Sequence, residues 1–306
     1  MKRKRIMIDK WQLKQRASLP LDAKEGLSLL RIRQAYDATR GRLYVSVSGG
    51  KDSLVLLHLV RRFYGRTDVP AVFIDEGMAF PEVREAAMKV ADVVLKPAMP
   101  FTKVIEKYGW PVVSKEVSQQ IHEARTSKSV KLVCKRLFGD NNRYKSGRIP
   151  IKWRPLLQAP FSISHKCCDV LKKRPAKKYE SETGRVPLVG TMATDSLLRK
   201  QSYLRHGCNS FDTKRPRSMP MAFWTQEDVW GYVKKYGIEV PSVYKKYSHT
   251  GCIFCVFGAH LEKHPNKFEL LRKTHPQLWN YAMFKLGLAE VLEFLGMDYG
   301  LEEEFR

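Results

Sequence analysis

Leu43-Tyr44-Val45-Ser46-Val47, then Ser48-Gly49-Gly50-Lys51-Asp52-Ser53, then Leu54-Val55-Leu56-Leu57, reads as a strand, a turn and a helix in immediate succession. The apolar, β-branched first segment suits a strand buried in a parallel sheet. Two glycines at the turn let the backbone approach a ligand closely, because glycine alone takes a left-handed φ cheaply. The N–H groups opening the helix, which should run from about Ser53 to Phe63, favour an anion through the helix dipole. Lys51 adds a full positive charge, Ser48 and Ser53 add hydroxyls, and Asp52 could hold Mg²⁺. The occupant this stretch asks for is a phosphate or a pyrophosphate. It is not a Walker A loop, which needs four residues between its glycines.

Composition sets the outer bounds. A chain of 306 residues can bury a sizeable core in one large domain or in one domain with an appendage. Hydrophobic content of 43% with 11% aromatics fits a globular protein. Fifty-five Lys and Arg against 31 Asp and Glu leave a net charge of +24. Such an excess predicts attraction to a polyanion, of which nucleic acid is the commonest, and charge alone does not separate DNA from RNA. No apolar run approaches the ~18 residues of a membrane span, and no apolar signal core follows the basic Met1–Arg5. The expectation is a cytoplasmic protein with no membrane partner. Six cysteines in that compartment point to metal or catalytic sulfur rather than to disulfides.

Taken in order, residues 1–40 read as a basic helical lead-in, with seven Lys or Arg and a single acid, Asp9, up to Arg16. The helix from Asp22 to Thr39 should bury Leu27, Leu30, Ile32 and Ala35. Residues 41–260 read as the main domain, expected to bind a nucleotide and to carry the sulfur chemistry that the cysteines below suggest. Strands at Pro70–Asp75, Val93–Leu95 and Val186–Val189 alternate with helices, which implies an α/β fold with a mostly parallel, doubly wound sheet. Ligands of such sheets bind beyond the carboxyl ends of the strands, where Gly49-Gly50 and Asp75-Glu76-Gly77 both fall. Within this domain residues 122–154 read as a basic insertion, for which a solvated surface loop is the plainer alternative. Its cations are Arg125, Lys128, Lys131, Lys135, Arg136, Arg143, Lys145, Arg148, Lys152 and Arg154, facing only Glu123 and Asp140. Tyr144 and Trp153 interleave as stacking groups, a pattern suited to a phosphate backbone. A helix should begin at His165-Lys166-Cys167-Cys168-Asp169, and Gly190-Thr191 should turn into another containing Arg199-Lys200. Thr225 should cap a third, with Glu227 and Asp228 in its first turn. Residues 261–306 read as a helical extension whose core is Leu270, Leu271, Leu278, Met283, Leu286, Val291, Leu292 and Leu295.

The cysteines fall into two clusters, Cys167-Cys168 and, 84 residues after Cys168, Cys252-x-x-Cys255. Two pairs can offer four thiolates to one metal. An adjacent pair is unusual for structural zinc, and an iron–sulfur cube suits the set at least as well, while a buried metal-free pair is the plainer reading. Cys134 and Cys208 lie outside this pattern, and one of them could carry a persulfide.

The loop resembles the pyrophosphate loop of the ATP pyrophosphatases, which cleave ATP between its α and β phosphates. It is followed in order by Asp75-Glu76-Gly77…Phe80-Pro81-Glu82, Cys167-Cys168, Gly190-Thr191…Asp195-Ser196…Arg199, Trp224-Thr225…Asp228-Val229-Trp230 and Gly251-Cys252…Cys255. This succession resembles the phosphoadenosine phosphosulfate reductase family, within the adenine-nucleotide α-hydrolase (PP-loop) superfamily, from about residue 20 nearly to the end. Short reductase-like proteins of phages and the sulfurtransferases of DNA phosphorothioation are similar to it. The resemblance implies ATP with Mg²⁺, or adenylyl sulfate or phosphoadenylyl sulfate, with its phosphates on Ser48, Gly49, Gly50, Lys51, Asp52 and Ser53. It implies adenosine near Asp75, Glu76 and Gly77, with Gly190, Arg199 and Lys200 lining the site and Lys51, Asp52 and Arg199 acting in catalysis. It further implies a [4Fe–4S] cluster on Cys167, Cys168, Cys252 and Cys255, with zinc as the alternative.

Two departures from the family's reductases shape the expectation. Those enzymes carry a catalytic cysteine in a C-terminal tail, whereas no cysteine follows Cys255, and they generally alter the loop that is intact here. Met192 and Asp195 also stand where family members often have Arg and Glu. The expected activity is therefore ATP-dependent adenylylation and sulfur transfer to a nucleic acid, DNA or RNA. A sulfonucleotide reductase forming sulfite is the alternative, and a non-catalytic nucleic-acid-binding accessory of a modification or defence system is the second. A sulfur-donor protein or thiol reductant and a homodimeric partner complete the expectations.

Overall fold

A computed structural model describes residues 8–139 and 147–301. Arg143, Tyr144 and Lys145 of the basic insertion, and the first seven residues of the lead-in, lie outside them. The chain divides into two compact, discontinuous units. The first is Met1–Asp75, Phe80–Lys96 and Pro175–Lys245; the second is Glu76–Ala79, Pro97–Arg174 and Lys246–Arg306.

In chain order the strands are β1 (Leu43–Val47), β2 (Ala71–Ile74), β3 (Val93–Leu95), β4 (Val112–Val113), β5 (Val186–Leu188), β6 (Asn209–Ser210), β7 (Arg217–Ser218) and β8 (Val256–Phe257). The first unit holds a six-stranded sheet in the order β3-β2-β1-β5-β7-β6. All its pairings are parallel except the two-residue pairing of β6 with β7, which the sequence pattern does not reveal. The chain winds outward from β1 through β2 to β3 and returns on the other side of β1 as β5. That reversal puts the topological switch point between β1 and β5, the crevice where open α/β sheets bind ligands. Leu43, Val45 and Val47 alternate into the core, and the helix Lys51–Arg61 lays Val55, Leu56, Leu59 and Val60 against them. Each such fully buried side chain contributes roughly 2 kcal/mol of transfer free energy, which anchors the loop between strand and helix.

The lead-in helix, Leu21–Ala38, buries a face that is half polar. Ile32 and Ala35 are in the core as expected, but Leu30 is exposed and Lys24, Glu25 and Ser28 are buried instead. These five positions recur at helical spacing, so the stripe is regular and only its chemistry differs. Lys24 meets Asp228 at 2.5 Å. Glu25 accepts from Arg62 at 3.1 Å, Lys235 at 2.8 Å and the Tyr236 hydroxyl at 2.7 Å. Ser28 donates to the Pro220 carbonyl and accepts from the Trp224 indole. Buried charges are tolerated because each meets an opposite charge. Replacing Glu25 with alanine strands these partners, but Arg62 and Lys235 can rehydrate, so the expected loss is about 2 kcal/mol in urea denaturation.

The second unit carries the short parallel pair β4–β8. The described residues of 122–154 continue the helix Lys115–Thr126, form a second helix Val130–Phe138 and enter a 3₁₀ segment Ile151–Gln158. Ser114 and Ser129 cap the two helices by accepting from Val117 and Leu132, which is what serine does before an apolar run. Several cations of this stretch hold it together. Arg136 binds Glu123 at 2.6 Å and the Gly147 carbonyl, Arg125 donates to Phe161 O, and Arg154 donates to Leu137 O. Lys128, Lys131 and Lys152 are exposed. In the C-terminal part Leu271, Met283, Val291 and Leu292 are buried as expected, whereas Leu270, Leu278, Leu286 and Leu295 are only half-buried. Phe268, Trp279 and Leu288 take much of the core, with the Trp279 indole donating to Tyr299 O at 2.8 Å. Among the described residues no helix is long and apolar enough to cross a membrane.

Candidate functional site

The turn after β1 is braced by its own serines. The Ser48 N–H donates to Ser53 Oγ at 3.1 Å, the two hydroxyl oxygens lie 3.2 Å apart, and Ser53 Oγ donates to Gly50 O at 2.8 Å. The two glycines have different duties. Gly49 has φ +76°, and a Cβ there would sit 1.9 Å from the Val83 carbonyl oxygen. Gly50 caps the helix in an extended conformation open to any residue, at φ −75° and ψ 152°. The helix then starts at Lys51, which is 1% exposed. Its ammonium lies 3.0 Å from Asp52 Oδ1, 5.3 Å from the centre of the Tyr244 ring and 5.9 Å from that of Trp230. Both rings are within cation–π range. The Lys51 N–H is also occupied, since it donates to the Tyr244 hydroxyl at 3.0 Å. The cradle is therefore roofed by two aromatic residues.

The other expected nucleotide residues of this unit are placed as follows. Gly190 follows β5 and packs on the loop itself, its absent Cβ corresponding to a point 2.7 Å from Asp52 O. Only glycine lets the two backbones on either side of the switch point come this close. Asp75, at the end of β2, is held by a bidentate pair with Arg84, with contacts of 3.0, 3.1 and 2.7 Å. Arg199 is tied one helical turn back to Asp195, which also accepts from the Met192 N–H. Lys200 is exposed.

In the second unit Glu76 does something the sequence does not suggest. Its carboxylate meets Lys172 Nζ at 2.9 Å and lies 3.9 Å from Cys252 Sγ, so it stands at the cysteines. Gly77 follows with φ +71°. The four expected ligands come together in this unit. Burial raises the Cys167 thiol well above its ordinary range, and the neighbouring Cys168, Cys252 and Cys255 raise it further. Burial likewise raises Cys252; Lys172 counteracts this, while Glu76 and Cys255 add to it. Burial alone would lower the Lys172 ammonium, but Cys252 and Glu76 outweigh it and hold its proton more tightly than usual. Among the described residues, no three of these sulfurs lie within 4.8 Å of one another. Tetrahedral zinc with bonds of about 2.3 Å would draw them closer than that. The set is wide, thiol-rich and flanked by a cation, which suits a cube of iron and sulfur.

The two remaining cysteines differ. Cys208 is buried and its thiol is pushed up to about 11 by that burial, against the opposing influence of Arg31 and Arg16. Cys134 is exposed on the helix Val130–Phe138. A separate trio, His264, Glu269 and Asp298, brings three ligand atoms within 4.8 Å of one another. Glu269 there accepts from Asn266 N at 2.7 Å in a helix capping box, and Asp298 accepts from Gly300 N at 2.9 Å, so both have structural roles.

Residue-by-residue reading misses Tyr244, Arg84 and Lys172, and quotes Trp230 only within a motif, without a role at Lys51. Lys172 is signalled, since it follows Cys168 by four residues on a helix and so shares its face. Tyr244 has no local signature.

Comparison with known proteins bears on these two sites together. The chain matches the phosphoadenosine phosphosulfate reductase domain over residues 42–257. It is 24% identical over 263 residues to the adenosine 5′-phosphosulfate reductase of Anoxybacillus flavithermus, covering 84% of this chain and 91% of that one. It is 23% identical to sulfate adenylyltransferase subunit 2 of Mycolicibacterium gilvum, over 78% of this chain and 68% of that one. Among solved structures, phosphoadenylyl-sulfate reductase from Candida auris aligns with 81% of this chain and 98% of its own, at 15% identity and a TM-score of 0.41. The family match spans more than half of the chain and takes in both the loop after β1 and all four clustered cysteines: this chain belongs to the phosphoadenosine phosphosulfate reductase family.

Proposed function

We propose that the chain uses ATP to activate an acceptor on nucleic acid and replaces an oxygen there with sulfur. The observation that carries this reading is the intact, serine-braced loop with Lys51 at its centre. An acceptor oxygen attacks the α-phosphorus of ATP, and the bond to the bridging oxygen breaks. Pyrophosphate leaves and an adenylylated acceptor remains. A hydrosulfide-equivalent donor then attacks the acceptor atom and displaces AMP. Lys51 and the helix start stabilise the charge growing on the departing pyrophosphate, since fixed positive groups are worth most where charge develops. Asp52, the acid of the loop, would share Mg²⁺ with the phosphates. Cys167, Cys168, Cys252 and Cys255 would hold the iron–sulfur cluster, which supplies sulfur or electron-transfer chemistry when bound. Glu76 and Lys172 balance charge beside them. The similarity to a protein named sulfate adenylyltransferase subunit 2 supports adenylyl transfer as the reaction type.

Sulfonucleotide reduction is the second reading, favoured by the likeness to proteins named adenosine 5′-phosphosulfate reductase. Anaerobically purified protein, incubated separately with ATP and with adenylyl sulfate, separates the two. Pyrophosphate release from ATP that rises with added DNA or RNA is the expected result. Sulfite formed from adenylyl sulfate would overturn it in favour of reduction.

The nucleic-acid part of the proposal rests on the exposed Lys128, Lys131 and Lys152, with Trp153 beside Lys152 in cation–π contact at 5.0 Å. Changing these three lysines to alanine should weaken binding across all sequences alike. The salt slope, read by fluorescence anisotropy between low and physiological salt, should fall by about 0.7–0.9 for each phosphate that is no longer neutralised.

A further inference from the structure

Residues Gly109–Val113 touch both cysteine arms, and nothing in their sequence advertises it. Gly109 ends the helix Phe101–Tyr108 at φ +101°. A Cβ there would lie 2.3 Å from the Ser162 carbonyl, so the two backbones meet where only glycine fits. One residue on, the Trp110 N–H donates to Ser162 O at 2.7 Å, and the Ser164 N–H donates to Trp110 O at 3.0 Å. Cys167 follows three residues after Ser164. Val112 and Val113 then pair in register with Val256 and Phe257, the residues directly after Cys255, and the Gly258 N–H donates to Val113 O at 2.8 Å.

The segment is itself gripped from behind. Ser118 is fully buried, and its Oγ donates to Val112 O at 2.6 Å while accepting from the Val112 N–H at 3.0 Å. Val113 is held at φ +60°, a conformation β-branched residues rarely take and keep only where the surroundings over-determine it. The second arm has another tether in Ile253 N–H, which donates to Met78 O at 2.9 Å.

We propose that Gly109–Val113 is a backbone splint that aligns the Cys167-Cys168 and Cys252/Cys255 arms before any cofactor arrives. Eighty-four residues separate Cys168 from Cys252, and main-chain hydrogen bonds to one shared segment replace most of the ordering that ligation would otherwise have to impose. Gly109 and Ser118 are then positioning residues for the thiols. This inference rests on the reading of the four cysteines as ligands, and its test is chosen to stand apart from that reading.

Amide hydrogen exchange on the metal-free chain is the direct measurement. The Ser164 and Gly258 amides should be protected at least about 100-fold over free-peptide rates without iron. Exchange of both at free-peptide rates in the metal-free chain would overturn the splint. Gly109→Ala should abolish the protection at Ser164 and lower iron retained after anaerobic reconstitution at least fivefold. Because that variant can also compromise folding, Ser118→Ala serves as the milder probe. It should loosen Ser164 and Gly258 together and lower retained iron two- to fivefold, with the far-UV circular dichroism unchanged. Ser118→Ala with native protection and native iron would also overturn the proposal. If the unmutated chain binds no iron yet shows both amides protected, the cluster reading fails and the splint stands.

Discussion

Lys51→Met should lose nucleotide-dependent pyrophosphate release by about two to three orders of magnitude, the usual result of removing one fixed group that stabilises developing charge. The fold should survive the change. Methionine keeps the unbranched stem that Trp230 and Tyr244 cover, and Asp52, the partner left behind, is a third exposed and can hydrate. A melting temperature close to that of the unmutated chain alongside lost turnover is the expected pair of results. Unchanged turnover would remove the loop from the mechanism. The roof above Lys51 makes this outcome more informative than it would be for an open loop. A lysine that is 1% exposed gains little from generic surface charge, so any large kinetic effect reports on what the loop holds.

The second large effect is expected from Gly49→Ala, and the contrast with Gly50→Ala makes it specific. Alanine at 49 must adopt φ +76° and place its methyl 1.9 Å from Val83 O, a backbone atom that cannot simply rotate away. Either the loop or the start of the helix Pro81–Val90 has to move. A loss of about 3 kcal/mol or more is expected in urea denaturation, together with loss of nucleotide binding. At Gly50 the backbone already suits alanine, so that variant should stay within about 1 kcal/mol of the parent. If the two variants prove equally stable, the tight passage between the loop and Val83 is wrong.

Much of the fold was legible because its signals are local. Val45, Val47 and the apolar face of Lys51–Arg61 carry their own periodicity, and β1, β2, β3 and β5 fall within a residue or two of where apolar runs put them. The stretch 122–154 was harder. Its cation density resembles a solvated loop, yet serine caps and a few Arg–carbonyl bonds make most of its described part helical. The lead-in helix shows the same limit from the other side. Glu25 and Lys24 look like surface residues until Arg62, Lys235 and Asp228 are found opposite them. Whether a charge is buried depends on its partner, and these partners lie from 37 to more than 200 residues along the chain.

By itself the sequence determined the glycine turn between strand and helix, the α/β alternation around it and the two cysteine pairs. Each of these is written in consecutive or regularly spaced residues, so local backbone preference and side-chain chemistry are enough to read it. Tertiary structure alone decided that Tyr244 and Trp230 roof Lys51, that Glu76 belongs with Lys172 and Cys252, and that Gly109–Val113 spans both cysteine arms. Those facts join residues about 50 to nearly 200 positions apart. No local preference encodes such meetings; they arise only when packing and unpaired backbone groups are satisfied for the whole unit at once.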